Sequence, residues 1–228
     1  MPNSPIRSTI VFDAYGTLFD VAGAARLAAA EPGGEALASL WARLAEDWRI
    51  RQMEYTWLRT VMGAHADFAE VTADALDWAL DAHAVRDPAL RTRLLQLYNH
   101  LPAYPEVHAT LAGLATKGKR LAILSNGTPR MLADAVASAR IGDLLDEVIS
   151  IEEAGRYKPD PSAYALVPSR MGVTPSKVLY VTANGWDAAG AARFGFTTAW
   201  INRASAPIER LSHGPSRILP DLSALLSL

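Results

Sequence analysis

The sequence predicts an α/β protein: a parallel-sheet core with a helical segment inserted after its first strand. Three observations carry that expectation. Apolar runs of strand length, Ile10-Val11-Phe12, Arg120 to Leu124, Val178 to Val181 and Thr197 to Ile201, are separated in the second half of the chain by helical stretches. The first three runs end on polar, turn-forming clusters: Asp13 with Gly16 close behind, Ser125-Asn126-Gly127, and Thr182 to Asp187. Between the first run and the second, Val21 to Leu101 carries few strand signals and is dominated by Ala, Leu, Arg and Glu.

Taken in order, the stretch TIVFDAYGTLFD sets an acid, Asp13, at the carboxyl end of a buried strand, where open α/β sheets bind their ligands. In the insert, Leu37, Trp41, Leu44, Trp48, Tyr55, Leu58 and Met62 keep helical spacing, and Phe68 to Leu80 continues in kind. Asp87-Pro88 starts another helix with an N-cap and a first-turn proline. From Pro105 the pattern alternates. A helix from Glu106 to Thr116 ends at Lys117-Gly118, the strand Arg120 to Leu124 follows, and a helix begins at Pro129. A short strand near Glu147 to Ser150 leads to the loop Arg156-Tyr157-Lys158-Pro159-Asp160. Pro168, inside the otherwise helical Ala163 to Met171, predicts a kink or early break. The strand Val178 to Val181, a helix through Ala188 to Phe194, the strand Thr197 to Ile201 and a short helix after Pro220 complete the series. Right-handed crossovers bring the polar clusters, with Lys158, to one edge of the sheet. Residues 1–20 and 102–228 are thus expected to form the core domain and residues 21–101 a helical domain.

Composition narrows the function. The chain has 228 residues, half of them hydrophobic, so a sizeable core is available. A net charge of -2 gives no footprint for nucleic acid or anionic lipid and favours small soluble substrates. The absence of cysteine excludes disulfides, thiolate metal sites and a cysteine nucleophile. The first nine residues lack the apolar region of a signal peptide, and no apolar run approaches the ~20 residues that span a bilayer. The expectation is a cytoplasmic enzyme with no membrane association.

The segments TIVFDAYGTLFDV, LAILSNGTP, RYKPD and NGWDAAGAARFGFTTAWINR together resemble the haloacid dehalogenase superfamily, and more narrowly its L-2-haloacid (type II) dehalogenases. The resemblance extends over almost the whole chain. It implies a Rossmann-like core, and the insert is similar to the family's small cap domain. Most of the superfamily are magnesium phosphatases, which carry a second Asp two residues after the nucleophile and two acids in the fourth motif. Here those places hold Tyr15, and Thr182-Ala183-Asn184 with only Asp187. General acid and half of the metal carboxylates are missing, so neither metal nor other cofactor is expected. Displacing a halide needs no general acid. It needs a desolvated, oriented carboxylate and donors for the departing anion. The five histidines lie outside every motif, which leaves a histidine-based hydrolase without a base.

The resemblance implies a role for each matching residue. Asp13 is the nucleophile, forming an ester at the α-carbon of a short (S)-2-haloalkanoic acid that is hydrolysed to the (R)-2-hydroxy acid. Thr17 holds the Asp13 carboxylate or merely closes the turn. Lys158 keeps the nucleophile ionised. Asn184 and Asp187 orient or activate the hydrolytic water, with Thr182 and Tyr164 in support; Asp187 also reads as an N-cap for the Ala188 helix. Arg49 faces the halide, Ser125 holds the substrate carboxylate, and Asn126 adds an amide donor to the halide. Tyr15, Met53, Phe68 and Trp186 wall the alkyl group, although a Met or aromatic at helical spacing is also ordinary core. Ala183 departs from the family's frequent serine. The family implies a homodimer acting on a small molecule. Two alternatives remain: a phosphatase or phosphonatase-like hydrolase of the superfamily, and a non-catalytic binding protein on its scaffold.

Overall fold

The computed structural model describes residues 8–228; residues 1–7, part of the segment read above for a targeting signal, lie outside the described residues. Six parallel strands form the sheet: β1 (Thr9–Phe12), β2 (Arg120–Ser125), β3 (Glu147–Ser150), β4 (Val178–Thr182), β5 (Thr197–Ile201) and β6 (Arg217–Leu219), in the order β3-β2-β1-β4-β5-β6. This is the doubly wound order, and the direction of winding reverses between β1 and β4. Every residue of β1 and β4 is buried, which is why both read as unbroken apolar runs. Phe12 pairs with Ile123 on one side and Val181 on the other. The next residue, Asp13, therefore emerges at the switch point.

The insert after β1 carries four helices: α1 (Gly23–Ala30), α2 (Trp41–Met62), α3 (Phe68–Ala82) and α4 (Pro88–Asn99). The helical spacing read from Leu37 starts early, because Leu37 belongs to a short 3-10 turn and α2 begins at Trp41. The Asp87-Pro88 start holds: the Asp87 carboxylate accepts from the N–H groups of Ala89 and Leu90 at 2.9 and 3.1 Å. Helices α5 (Val107–Thr116), α6 (Pro129–Ala139), α7 (Pro161–Met171) and α8 (Gly185–Phe194) are the crossovers.

Three differences from the sequence reading have physical causes. The three-residue edge strand β6 was not foreseen, since it has no apolar alternation and is defined only by pairing with Ala199 to Ile201. Helix α8 begins at Gly185, three residues early, so Asp187 lies inside its first turn and is not the N-cap; Asn184 holds that position. The break at Pro168 does not occur. Proline there removes one helix bond, to the Tyr164 carbonyl, while its own carbonyl still accepts from Gly172 at 3.1 Å. The Asp160 cap and the burial of Ala163, Tyr164, Val167 and Met171 hold the helix together.

Replacing Pro168 by Ala should therefore raise unfolding stability by about 1–2 kcal/mol, the helix penalty of proline less its restriction of the unfolded chain. A urea midpoint at or below that of the parent would contradict this account.

Candidate active site

Asp13 is buried, 5% exposed, and both carboxylate oxygens are occupied. Its N–H donates to the Val181 carbonyl at 2.9 Å, which ties it to the neighbouring strand. Oδ2 accepts from Thr17 Oγ1 at 2.9 Å, from Asn184 Nδ2 at 3.0 Å and from Thr182 Oγ1 at 3.4 Å. Oδ1 accepts from Lys158 Nζ at 2.8 Å. Thr17 also accepts the Ala183 N–H at 2.8 Å, so its hydroxyl joins the loop after β1 to the loop after β4. It does more than close its own turn.

Lys158 lies in the loop before α7, 1% exposed. Nζ reaches Asp13, Asp187 Oδ2 at 3.0 Å, the Tyr180 hydroxyl at 2.8 Å and the Leu124 carbonyl at 3.2 Å. Burial alone would lower its pKa, but the charges of Asp13 and Asp187 outweigh that and leave it above the ordinary 10.5. Asp187 is fully buried and receives Tyr164 at 2.7 Å and Tyr180 at 2.9 Å. Its pKa is raised: burial dominates, Lys158 offsets it in part, and the Asp13 charge adds to the rise.

Arg49, from α2, donates through Nη1 to Gln52 Oε1 at 3.0 Å and through Nη2 to the Tyr15 carbonyl at 3.2 Å. Gly16, at φ +87°, brings the loop beneath it; a Cβ there would lie 4.0 Å from Nη2. The Tyr15 ring stacks on Tyr98, centroids 5.5 Å apart, and burial first of all holds its phenol pKa well above 10.0. Its hydroxyl is buried with no hydrogen-bond partner among the described residues. Ser125 Oγ accepts the Gly127 N–H at 3.1 Å, and Asn126 Oδ1 accepts the Lys158 N–H at 3.2 Å, which leaves the Asn126 amide nitrogen for another acceptor.

Asp13, Tyr15, Arg49, Met53, Phe68, Ser125, Asn126, Lys158, Asn184 and Trp186 line one cavity of about 10 Å³, room for a single water. Thr17 and Thr182 stand beneath it on Asp13. Tyr164 is set further back: fully buried, it touches Asp187 and is not among the lining residues. Helices α2 and α3 thus contribute Arg49, Met53 and Phe68 to a site whose floor is the sheet edge.

Sequence reasoning passed over several supports. Tyr180 sits in the apolar run of β4, and the signal was there, since a buried tyrosine hydroxyl needs a partner. Gln52, 1% exposed, links Arg49 to Thr72 Oγ1 at 2.7 Å and to the Tyr98 hydroxyl at 3.1 Å. Arg203 donates to the carbonyls of Gly16 and Thr17 at 3.2 and 3.0 Å and to Glu106 at 2.6 Å, bracing the Asp13 loop from behind. Nothing local in sequence marks Arg203, whose partners lie far away along the chain, or Gln52, which joins its neighbour Arg49 to the remote Thr72 and Tyr98.

Comparison with known proteins identifies the family. The model of the haloacid dehalogenase-like hydrolase family matches residues 8–195. The chain is 45% identical to (S)-2-haloacid dehalogenase 1 of Pseudomonas sp. (strain CBS-3), over 93% of this chain and 91% of that protein. It is 43% identical to (S)-2-haloacid dehalogenase 4A of Burkholderia cepacia, over 87% and 84%. Among solved structures it is similar to the L-2-haloacid dehalogenase from Xanthobacter autotrophicus with chloropropionic acid covalently bound: TM-score 0.88, 38% identity, 98% of each chain covered. The chain belongs to the haloacid dehalogenase-like hydrolases, in the family of the (S)-2-haloacid dehalogenases.

Proposed function

We propose that this protein hydrolyses short (S)-2-haloalkanoic acids to (R)-2-hydroxy acids through an ester on Asp13, without metal or other cofactor. The observation that carries the reading is the ammonium of Lys158 set between the carboxylates of Asp13 and Asp187, at 2.8 and 3.0 Å. These are the acids a magnesium ion would use, and both are already engaged by that cation. Among the described residues no group of three or more His, Cys, Asp or Glu gathers to hold a metal. The donor set does not fit magnesium, and the second acid of a phosphatase is replaced by Tyr15.

In the first step one oxygen of Asp13 attacks the α-carbon from the side opposite the halogen. The carbon–oxygen bond forms as the carbon–halogen bond breaks, and the halide leaves with the bonding pair. Its charge develops toward the Arg49 guanidinium and toward the free Asn126 amide. Ser125 holds the substrate carboxylate. Tyr15, Met53, Phe68 and Trp186 exclude water and contact the alkyl group. In the second step water adds to the ester carbonyl carbon of Asp13, with Asn184 orienting it and Asp187 taking its proton. The raised proton affinity of Asp187 suits that role. Lys158, Thr17 and Thr182 stabilise the negative charge of the tetrahedral adduct, which expels the 2-hydroxy acid and restores the carboxylate.

The α1–α4 insert, residues 21–101, acts in this reading as a cap domain over a core formed by residues 1–20 and 102–228. Among the described residues no helix is long and apolar enough to cross a membrane. A cytoplasmic homodimer acting on a small molecule, without nucleic acid or membrane partners, completes the proposal; a mass in solution equal to one chain would remove the dimer.

Racemic 2-chloropropionate with a chelator present should release chloride as the (S) enantiomer disappears. Asp13→Asn should abolish release, and Arg49→Ala should lower it at least about tenfold in a folded protein, the scale of a lost transition-state donor. Chloride that appears only with magnesium, or normal turnover by Asp13→Asn, would sink the mechanism.

The pH dependence follows from the two shifted groups. Lys158 has a folded pKa above its unfolded value, so its stabilising charge is fully present below 10.5 and is lost only as pH rises through the higher folded value. Asp187 must be ionised to accept a proton, so the acid limb of kcat/KM should fall above the ordinary 3.8. The profile should then stay level to about pH 10. An alkaline limb centred near neutrality, in a protein that remains folded, would count against the Lys158 assignment.

A further inference from the structure

Trp186 separates two spaces. It lines the cavity containing Asp13, and it also lines a larger one of about 370 Å³, whose other walls include Trp57, Val61, Tyr157 and Pro159. Consecutive residues divide in the same way, with Lys158 at the first cavity and Pro159 at the second. The partition is thus one indole ring and one stretch of backbone.

The first cavity leaves little choice of direction to a carbon chain. Two of its apolar walls are backed by protein: Phe68 is fully buried and Met53 is 7% exposed. Trp186 is only partly buried, and its ring meets that of Trp57 edge to face with centroids 5.3 Å apart. A chain that outgrows the reaction cavity can therefore pass on the Trp186 side.

The second cavity has the chemistry to receive hydrocarbon. Its polar atoms are nearly all engaged within the protein. The Thr60 hydroxyl accepts the Tyr157 N–H at 3.1 Å, and the Tyr157 hydroxyl donates to the Ala66 carbonyl at 2.6 Å. The Asp160 carboxylate accepts the N–H and hydroxyl of Ser162 at 2.9 and 2.7 Å. Among the fully buried side-chain atoms of its lining only the Trp57 indole N–H lacks a partner, and Asp160 also faces Arg156 at 3.7 Å. A charged ligand would find no free counter-charge, whereas an alkyl chain meets two indoles, a valine and a proline. Val61, 85% exposed, stands at the rim.

We propose that this second cavity is an alkyl subsite, entered past Trp186, and that it extends the substrate class to 2-haloalkanoic acids with longer chains. The proposal rests on the dehalogenase reading above. Each methylene transferred from water into such a site strengthens binding about fourfold. Filling the rim should therefore penalise a six-carbon acid and spare a three-carbon one.

The test compares kcat/KM for (S)-2-bromohexanoate and (S)-2-bromopropionate, followed by bromide release, in the parent protein and in Val61→Trp. The expected result is hexanoate turnover by the parent, with the hexanoate-to-propionate ratio at least fivefold lower in the variant. A smaller change, or a parent that turns over propionate but not hexanoate, overturns the subsite. Should Val61→Trp fail to fold by circular dichroism, the same criterion applies to Val61→Asp, which puts a charge at the rim. Bromide from neither acid would instead bring down the dehalogenase reading itself, so the two failures are told apart.

Discussion

Two buried carboxylates share one buried ammonium, and much of the surrounding structure follows from that imbalance. Asp13, Asp187 and Lys158 are each 5% exposed or less, and together they hold more negative than positive charge. A buried charge without partners is costly, so the excess must be met by hydrogen bonds. Thr17, Thr182 and Asn184 meet it on Asp13, and Tyr164 and Tyr180 on Asp187. These donors come from the loop after β1, from β4 and the loop that follows it, and from α7, while Asp187 itself lies on α8. One cluster thereby fixes the mutual placement of several crossover elements. It also leaves the Asp13 carboxylate buried and oriented, the condition a carboxylate nucleophile requires.

The loop that carries Asp13 is held from several sides. Its backbone bonds to β4 through the Val181 carbonyl, Arg203 grips the carbonyls of Gly16 and Thr17, and Arg49 takes that of Tyr15. The Arg49 contact joins the helical insert directly to the catalytic strand. Glu152 adds a second connection: its carboxylate accepts the Phe68 N–H at the start of α3, 3.0 Å away, and pairs with His65 at 2.8 Å. Gly127 shows how tight the facing loop is, since a Cβ there would come within 2.7 Å of the Tyr15 ring. Positions on both sides of the cavity are thus set by contacts between the insert and the sheet edge.

The parallel sheet, the crossover helices and the residue types at the strand ends were legible in the sequence because they rest on local signals. Buried parallel strands read as apolar runs, turns show as polar and glycine-rich clusters, and proline after Asp marks a helix start. Asp13, Ser125, Lys158 and Asn184 could be assigned to one edge before any coordinates, since strands running the same way end on the same side. Replacement of an expected acid by Tyr15 was also plain from the sequence, and it separated the dehalogenase reading from a phosphatase.

Only the tertiary structure decided matters that depend on distance across the fold. It set Asp187 inside the first turn of α8 and against Lys158, where local pattern made it a cap. It carried α7 through Pro168, because core packing outweighs the loss of one hydrogen bond. It recruited Tyr180, Gln52 and Arg203 through contacts with Lys158, Tyr98 and Gly16, remote in sequence, and it defined β6 by pairing alone. Local residue types determine which elements form and which chemistry is available. Burial, charge balance and the cavities on either side of Trp186 arise only when distant segments meet.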